Sequence, residues 1–132
     1  MILVDTDIIL DVLEDDPRWA DWSQRQLDRA ALNDILCINA VIYAELSIAY
    51  ETIEQLEAML ATAGFHVEPI PREALFLAGK AFMRYRRSRG AKSGVVPDFF
   101  IGAHAAVSNY ALLTRDMRRY AIYFPALVLI SP

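Results

Sequence analysis

The chain has 132 residues, 55% of them hydrophobic and 23% charged, and its 13 Lys and Arg against 17 Asp and Glu give a formal net charge of −4. That length and apolar content suit one folded domain with a sizeable core, residues 1–132, and exclude a disordered chain. The lone cysteine, Cys37, excludes an internal disulfide, and no apolar run approaches the roughly 18 residues that span a bilayer.

Ile2 to Val4 predicts a short buried strand. Ile8, Ile9, Val12 and Leu13 recur at helical spacing, and Glu14-Asp15-Asp16-Pro17 breaks that helix. Pro17 suits a first helical position, with a helix from Arg18 to about Leu32 whose apolar side takes Trp19, Trp22, Leu27 and Ala30. Ile35 to Ile38 predicts a second strand, in which Cys37 reads as core. Asn39 then caps a helix from about Ala40 to Tyr50, with Val41, Ala44, Ile48 and Ala49 at its apolar positions. Thr52 caps another, to Ala63, closed by Gly64. Phe65 to Ile70 predicts a third strand. Pro71 opens the longest helix, to about Arg89, with Leu75, Ala78, Phe82 and Tyr85 on one face. Gly90 to Pro97 is a loop, Asp98 to Asn109 a helix, and Ala111 to Leu113 a strand. Asp116 to Tyr120 is a helical turn, and Ala126 to Ile130 the last strand. Strands alternating with helices predict an α/β sandwich around a mainly parallel sheet of four to five strands.

Certain acids fall where this map makes burial expensive. Asp5 and Asp7 follow the first strand, Asp116 follows LLTR at the end of another, Asp98 stands in VVPDFFIGAHA and Glu45 in IYAELSI. Taken singly, Asp5, Asp98 and Asp116 read as helix caps and Glu45 as a helix-edge acid. As a set they read differently, because converging carboxylates raise each other's pKa unless a positive charge holds them, and a hard divalent cation, Mg²⁺ or Mn²⁺, meets several oxygens at once. In a parallel sheet, ligands bind in the crevice beyond the carboxyl ends of the strands. His66 and His104 read as structural, and neither has a partner at zinc-ligand spacing.

The four stretches ILVDT, AVIYAEL, VPDFFIGAHA and LLTRD with a closely following aromatic, in that order over residues 2–120, resemble the PIN-domain family, and within it the VapC-type toxins of toxin–antitoxin pairs. The resemblance implies a PIN-like α/β/α sandwich and a Mg²⁺- or Mn²⁺-dependent endoribonuclease. Asp5, Glu45, Asp98 and Asp116 fall on the family's metal-binding acids, and Thr114 on its supporting hydroxyl. It also implies an RNA substrate, a cognate antitoxin and a homodimer, while the lone Cys37 fits a reducing compartment and so a cytoplasmic address. Two positions depart from the pattern. Asp7 stands where Asn or Ser is more usual, and Arg119 stands where many members carry a further acid.

Charge is split along the chain: residues 1–66 hold 13 acids and 3 bases, while residues 67–132 hold 4 acids and 10 bases. Arg84, Arg86, Arg87, Arg89 and Lys92 read either as cations favoured at a helix C-terminus or as a rim that grips RNA phosphates, joined by Arg115, Arg118 and Arg119. A cationic group of an antitoxin, most simply an Arg, is expected to meet the acids, with Trp19, Trp22 and Tyr50 as apolar contacts or as core. The rival readings are a phosphatase using Asp5 as nucleophile and Asp7 as acid/base, a PIN nuclease acting on DNA or in RNA maturation, and a non-catalytic interaction module.

Overall fold

Ile2, Leu3 and Val4 are all buried and form β1 (Ile2–Val4), the central strand of the computed structural model, which describes residues 1–88 and 96–132. The chain continues through α1 (Thr6–Leu13), α2 (Ala20–Asn33), β2 (Leu36–Ile38), α3 (Ala40–Ser47), α4 (Ile53–Ala63) and β3 (His66–Val67). It then forms α5 (Arg72–Arg87), α6 (Pro97–Ser108), β4 (Ala111–Leu113), α7 (Arg118–Tyr123) and β5 (Leu129–Ile130). The five strands lie in the order β3-β2-β1-β4-β5 and every pair is parallel. Leu3 sits opposite Cys37 on one side and Leu112 on the other. A parallel sheet covered on both faces wants uninterrupted apolar strands, which ILV and LCI supply. The result is an α/β sandwich with a five-stranded, all-parallel sheet, in keeping with the expected fold class.

Local chemistry fixes the element ends. Asn39 Oδ1 accepts from the backbone N–H groups of Val41 and Ile42 and so caps α3. Thr52 and Gln55 form a reciprocal capping box at α4, and Gly64 ends that helix at φ 76°, a left-handed conformation open to glycine without strain. Cys37 is fully buried and its thiol is pushed up to about 12 by burial, which fits its reading as core.

Several boundaries move for identifiable reasons. The second helix starts at Ala20 rather than Arg18, because Asp16 Oδ1 takes the N–H groups of Arg18 and Trp19 in a preceding turn. The third strand shrinks from residues 65–70 to His66–Val67, where Pro69 and Pro71 lack the donors a ladder needs. The last strand shrinks to Leu129–Ile130, matched to Leu112 and Leu113 of its short partner. Helix α3 ends at Ser47 and buries Ile42 and Leu46, whereas the expected apolar positions Ala44, Ile48 and Ala49 are exposed. On α5 the buried positions are Ala74, Ala78 and Ala81, with Leu75 turned outward. Helix α6 begins at Pro97, one residue earlier than expected, and α7 covers Arg118–Tyr123 rather than residues 116–120. Of the expected basic rim, Arg89 and Lys92 lie outside the described residues.

Candidate functional site

The strand order turns back on itself at β1, which leads to β2 on one side and is joined by β4 on the other. The crevice beyond the carboxyl ends of β1 and β4 is therefore the switch point at which open α/β sheets bind ligands. Asp5 leaves β1 there, and Thr114 and Asp116 leave β4. The first turns of α1 and α6 bring Asp7 and Asp98 to the same place, with the favourable end of each helix dipole. Glu45 reaches it from α3.

One cavity of about 260 Å³ is lined by Asp5, Thr6, Asp7, Leu10, Glu45, Asp98 and Asp116. All four predicted acids and Asp7 thus share one pocket, and Thr114 stands directly behind it.

Each carboxylate is aimed by a neighbour. Asp5 Oδ1 accepts from the Thr6 N–H at 2.8 Å, so this residue does cap α1, as a simple cap would. Its Oδ2 accepts from Thr114 Oγ1 at 2.8 Å and from the Tyr120 hydroxyl at 3.0 Å. Thr6 Oγ1 donates to Glu45 Oε1 at 2.6 Å. Among the described residues Asp98 caps no helix: Val96 is the cap residue of α6, and the Asp98 oxygens face Arg119 Nη1 at 3.2 Å and the Tyr120 hydroxyl at 3.4 Å. Asp116 Oδ1 accepts from the Arg118 N–H at 3.2 Å at the head of α7.

The electrostatics of the pocket favour a positive charge among its carboxylates. Burial, followed by the nearby Asp7 carboxylate, raises the Asp5 carboxyl to about 7, against the hydrogen bond from Thr114. Asp7 is raised to about 6, mainly by burial, with the Arg115 N–H and charge opposing. Asp98 is also raised, by burial and by Asp116, although Arg119 pulls it down. Among the described residues no three His, Cys, Asp or Glu side chains are gathered closely enough to hold one ion as they stand. Like charges held by separate hydroxyls and one arginine stay apart. The donor set is made wholly of hard oxygens, which fits Mg²⁺ or Mn²⁺ and does not fit zinc.

Two features of this region escape a reading of the sequence. Asp11 is buried on α1 and accepts a fork from Arg115, Nε at 2.7 Å and Nη2 at 3.0 Å, with Ser23 Oγ at 2.7 Å. The Arg115 guanidinium also lies 5.2 Å from the Trp19 ring centroid. Arg115 therefore ties α1 to the end of β4. The only hint was an acid four residues after Asp7 on an otherwise apolar face. The second feature is Tyr120, 1% exposed, whose hydroxyl touches both Asp5 and Asp98 and whose ionisation burial pushes strongly upward. Its signal was the aromatic that closely follows LLTRD.

The other predicted residues are placed as follows. His104 is buried away from the pocket, and its Nδ1 accepts from Asn39 Nδ2 at 3.1 Å, because Asn39 Oδ1 is committed to capping. His66 is exposed on β3. Arg84, Arg86 and Arg87 occupy the last turn of α5, where cations suit the helix end, and Arg84 lies 5.4 Å from the Tyr123 ring centroid. Trp19, Trp22 and Tyr50 are half-buried. A larger apolar groove of about 550 Å³ runs between α1, α2 and α4, with Val12, Leu13, Leu27, Met59 and Phe65 on its walls.

The PIN domain family matches residues 2–125. Among solved structures, VapBC2 from Rickettsia felis bound to a DNA fragment from their promoter is similar at 22% identity and TM-score 0.76, covering 100% of this chain and 99% of that one. VapBC-1 from nontypeable Haemophilus influenzae is similar at 23% identity and TM-score 0.71, covering 99% and 98%. A toxin–antitoxin complex from Klebsiella pneumoniae is similar at 19% identity and TM-score 0.70, covering 97% and 96%. No curated protein sequence matches the chain.

Proposed function

The chain belongs to the PIN-domain family, and from that premise we propose that it is a Mg²⁺- or Mn²⁺-dependent endoribonuclease and the toxin of a toxin–antitoxin pair, built as one domain over residues 1–132. The observation that carries this reading is the single pocket lined by Asp5, Asp7, Glu45, Asp98 and Asp116. Asp5, Glu45, Asp98 and Asp116 would hold the metal, whose chemistry is to lower the pKa of a water and to neutralise charge building on a phosphodiester. The rest belongs to the protein. Thr114 and Tyr120 fix Asp5 from behind, so its oxygens cannot turn away from the cavity. Thr6 does the same for Glu45. Arg118 puts positive charge beside Asp98 and Asp116, and Arg86 and Arg87 in the last turn of α5 would add to a surface that favours a phosphate backbone.

The partner reading rests on charge and shape. An acidic pocket suits an inhibitor that presents an arginine to it, and the apolar groove between α1, α2 and α4 suits an apolar helix of the same partner. That neighbours of like fold were solved as VapBC pairs supports such a partner. A homodimer and a cytoplasmic address belong to the same reading, and among the described residues no helix is long and apolar enough to cross a membrane.

The test is cleavage of single-stranded RNA and of DNA by the purified chain, with Mn²⁺ or with EDTA. Cleavage of RNA only with metal is the expected result. Cleavage of DNA alone would favour the other nuclease reading, and none of either would favour the non-catalytic one.

A further inference from the structure

Among the described residues of this region two arginine side chains contact carboxylates, and they are held very differently. Arg115 grips Asp11 through two nitrogens, and that carboxylate is 3% exposed. Arg119 reaches Asp98 through one nitrogen at 3.2 Å, and both side chains are about one-third exposed, at 32% and 33%. A forked pair on a buried carboxylate is costly to break, whereas a single contact in partial solvent is worth little and is readily exchanged. Arg115 is fixed and Arg119 is replaceable.

The surroundings of Arg119 give it somewhere else to go. Its guanidinium lies 5.5 Å from the Tyr85 ring centroid and 5.7 Å from that of Phe99, so the group rests beside aromatic rings as well as on Asp98. A second cavity of about 390 Å³ adjoins the acid pocket and shares Asp98 and Asp116 with it. Its other walls include Tyr85, Arg118, Arg119 and Tyr123. Part-exposed Tyr85 and Tyr123 beside Arg118 and Arg119 offer the chemistry that receives a single strand, phosphates on the arginines and bases at the rings.

We propose that Arg119 is the site's built-in second cation, paired with Asp98 while metal is absent and turned to a strand phosphate in the adjoining cavity once metal takes Asp98. This rests on the metal-dependent nuclease reading and adds to it a residue and a division of labour. The pair keeps Asp98 neutralised without metal. Metal and Arg119 then compete for one carboxylate, and metal binding releases a positive charge at the place where a strand would lie.

Competition has opposite effects on two affinities, which a merely structural role would not produce. Calorimetric titration with Mn²⁺ should show Arg119→Ala binding the ion roughly 2- to 5-fold more tightly than wild type, the scale of a part-exposed ion pair. Anisotropy with a 2′-O-methyl single-stranded RNA in Mn²⁺ should show the same variant binding roughly 3- to 10-fold more weakly, one charge-assisted contact being lost. Arg119→Lys should fall between wild type and Arg119→Ala on both. Should Arg119→Ala fold poorly, Arg119→Gln keeps a stem over the rings and must show the same pair of shifts. Unchanged or weakened Mn²⁺ binding in these variants, with wild type binding normally, overturns the role of Arg119 and leaves the nuclease reading standing. Unchanged RNA binding overturns the phosphate half of the proposal. A wild-type chain that binds no Mn²⁺ overturns both readings together.

Discussion

Asp98 shows most directly how a single carboxylate differs from a cap. Its oxygens touch no backbone donor of α6 but face Arg119 and Tyr120 in the acid pocket. Asp98→Asn removes a charge at nearly constant volume. Unfolding stability without metal should stay within about 1 kcal/mol of wild type, while RNA cleavage should fall roughly 100-fold or more. Parallel melting curves and cleavage rates check both. Asp5 gives a pH dependence. Its ordinary value is 3.8 and its folded value about 7, so between them the folded chain keeps a proton that the unfolded chain releases. Stability of the metal-free protein from this group is therefore greatest at low pH and is lost as pH rises toward neutrality. Melting in EDTA from about pH 5 to 7.5 should show the midpoint falling, and Mn²⁺ should reverse the slope because metal displaces the proton. A midpoint that rises in EDTA would remove the physical basis for a buried, uncompensated carboxyl. At this scale the sequence was informative about the set rather than its members: Asp5, Glu45, Asp98 and Asp116 each read singly as a cap or a helix-edge acid, and only together as candidates for one pocket. Asp11 was not legible, and Tyr120 was visible only as the aromatic that follows LLTRD, since a buried polar contact across the chain leaves no local spacing to read.

Helices and strands were legible where a cap or a proline marks them and less so inside apolar runs. Asn39, Thr52 and Gly64 end their elements as expected, each with a specific hydrogen bond or dihedral. Helix α3 offers apolar residues all round, so periodicity could not say that Ile42 and Leu46 face inward while Ile48 is 88% exposed. The seat of α7 against α6 has a sharper origin. A Cβ at Gly102 would lie 2.5 Å from ring carbons of Phe124 and 3.0 Å from Tyr120 Cδ1. Gly102→Ala should therefore push α7 outward and cost about 1–3 kcal/mol despite alanine's better helix propensity, a fall of roughly 4–12 °C in melting temperature. Because Tyr120 moves with it, Mn²⁺ affinity should fall as well, which calorimetry would detect. Asp11→Asn tests the tie between α1 and β4. Losing the fork to Arg115 should cost about 1–3 kcal/mol, less than for a fully buried pair because Arg115 is part-exposed. A denaturant titration showing no change would mean the tie contributes nothing.

Across the molecule, the acidic first half and basic second half meet at one crevice rather than forming two faces remote from each other. Asp5, Asp7 and Glu45 come from the first, and Arg118 and Arg119 from the second. Replacing Arg86 and Arg87 with Gln should weaken RNA binding and flatten its salt dependence by roughly one to two counterions. If these residues serve only the end of α5, affinity will hold and thermal stability will drop slightly instead. The groove between α1, α2 and α4 is lined mainly by apolar side chains and by none of the pocket acids. A charge placed there, as in Leu27→Asp or Met59→Asp, should abolish co-purification with a partner while leaving Mn²⁺ binding intact.

The strand order also sets a timetable for synthesis. Thr114 lies 109 residues beyond the Asp5 carboxylate that it holds, and β1 must wait for β4 before its second edge is paired. At roughly 5–20 residues per second, that interval is about 5–20 s of translation. During it the nascent chain carries an unpaired apolar strand and an unassembled pocket. A ribosome-bound chain stalled before β4 should therefore lack the pocket, which comes together only once β4 is made and Thr114 can reach Asp5.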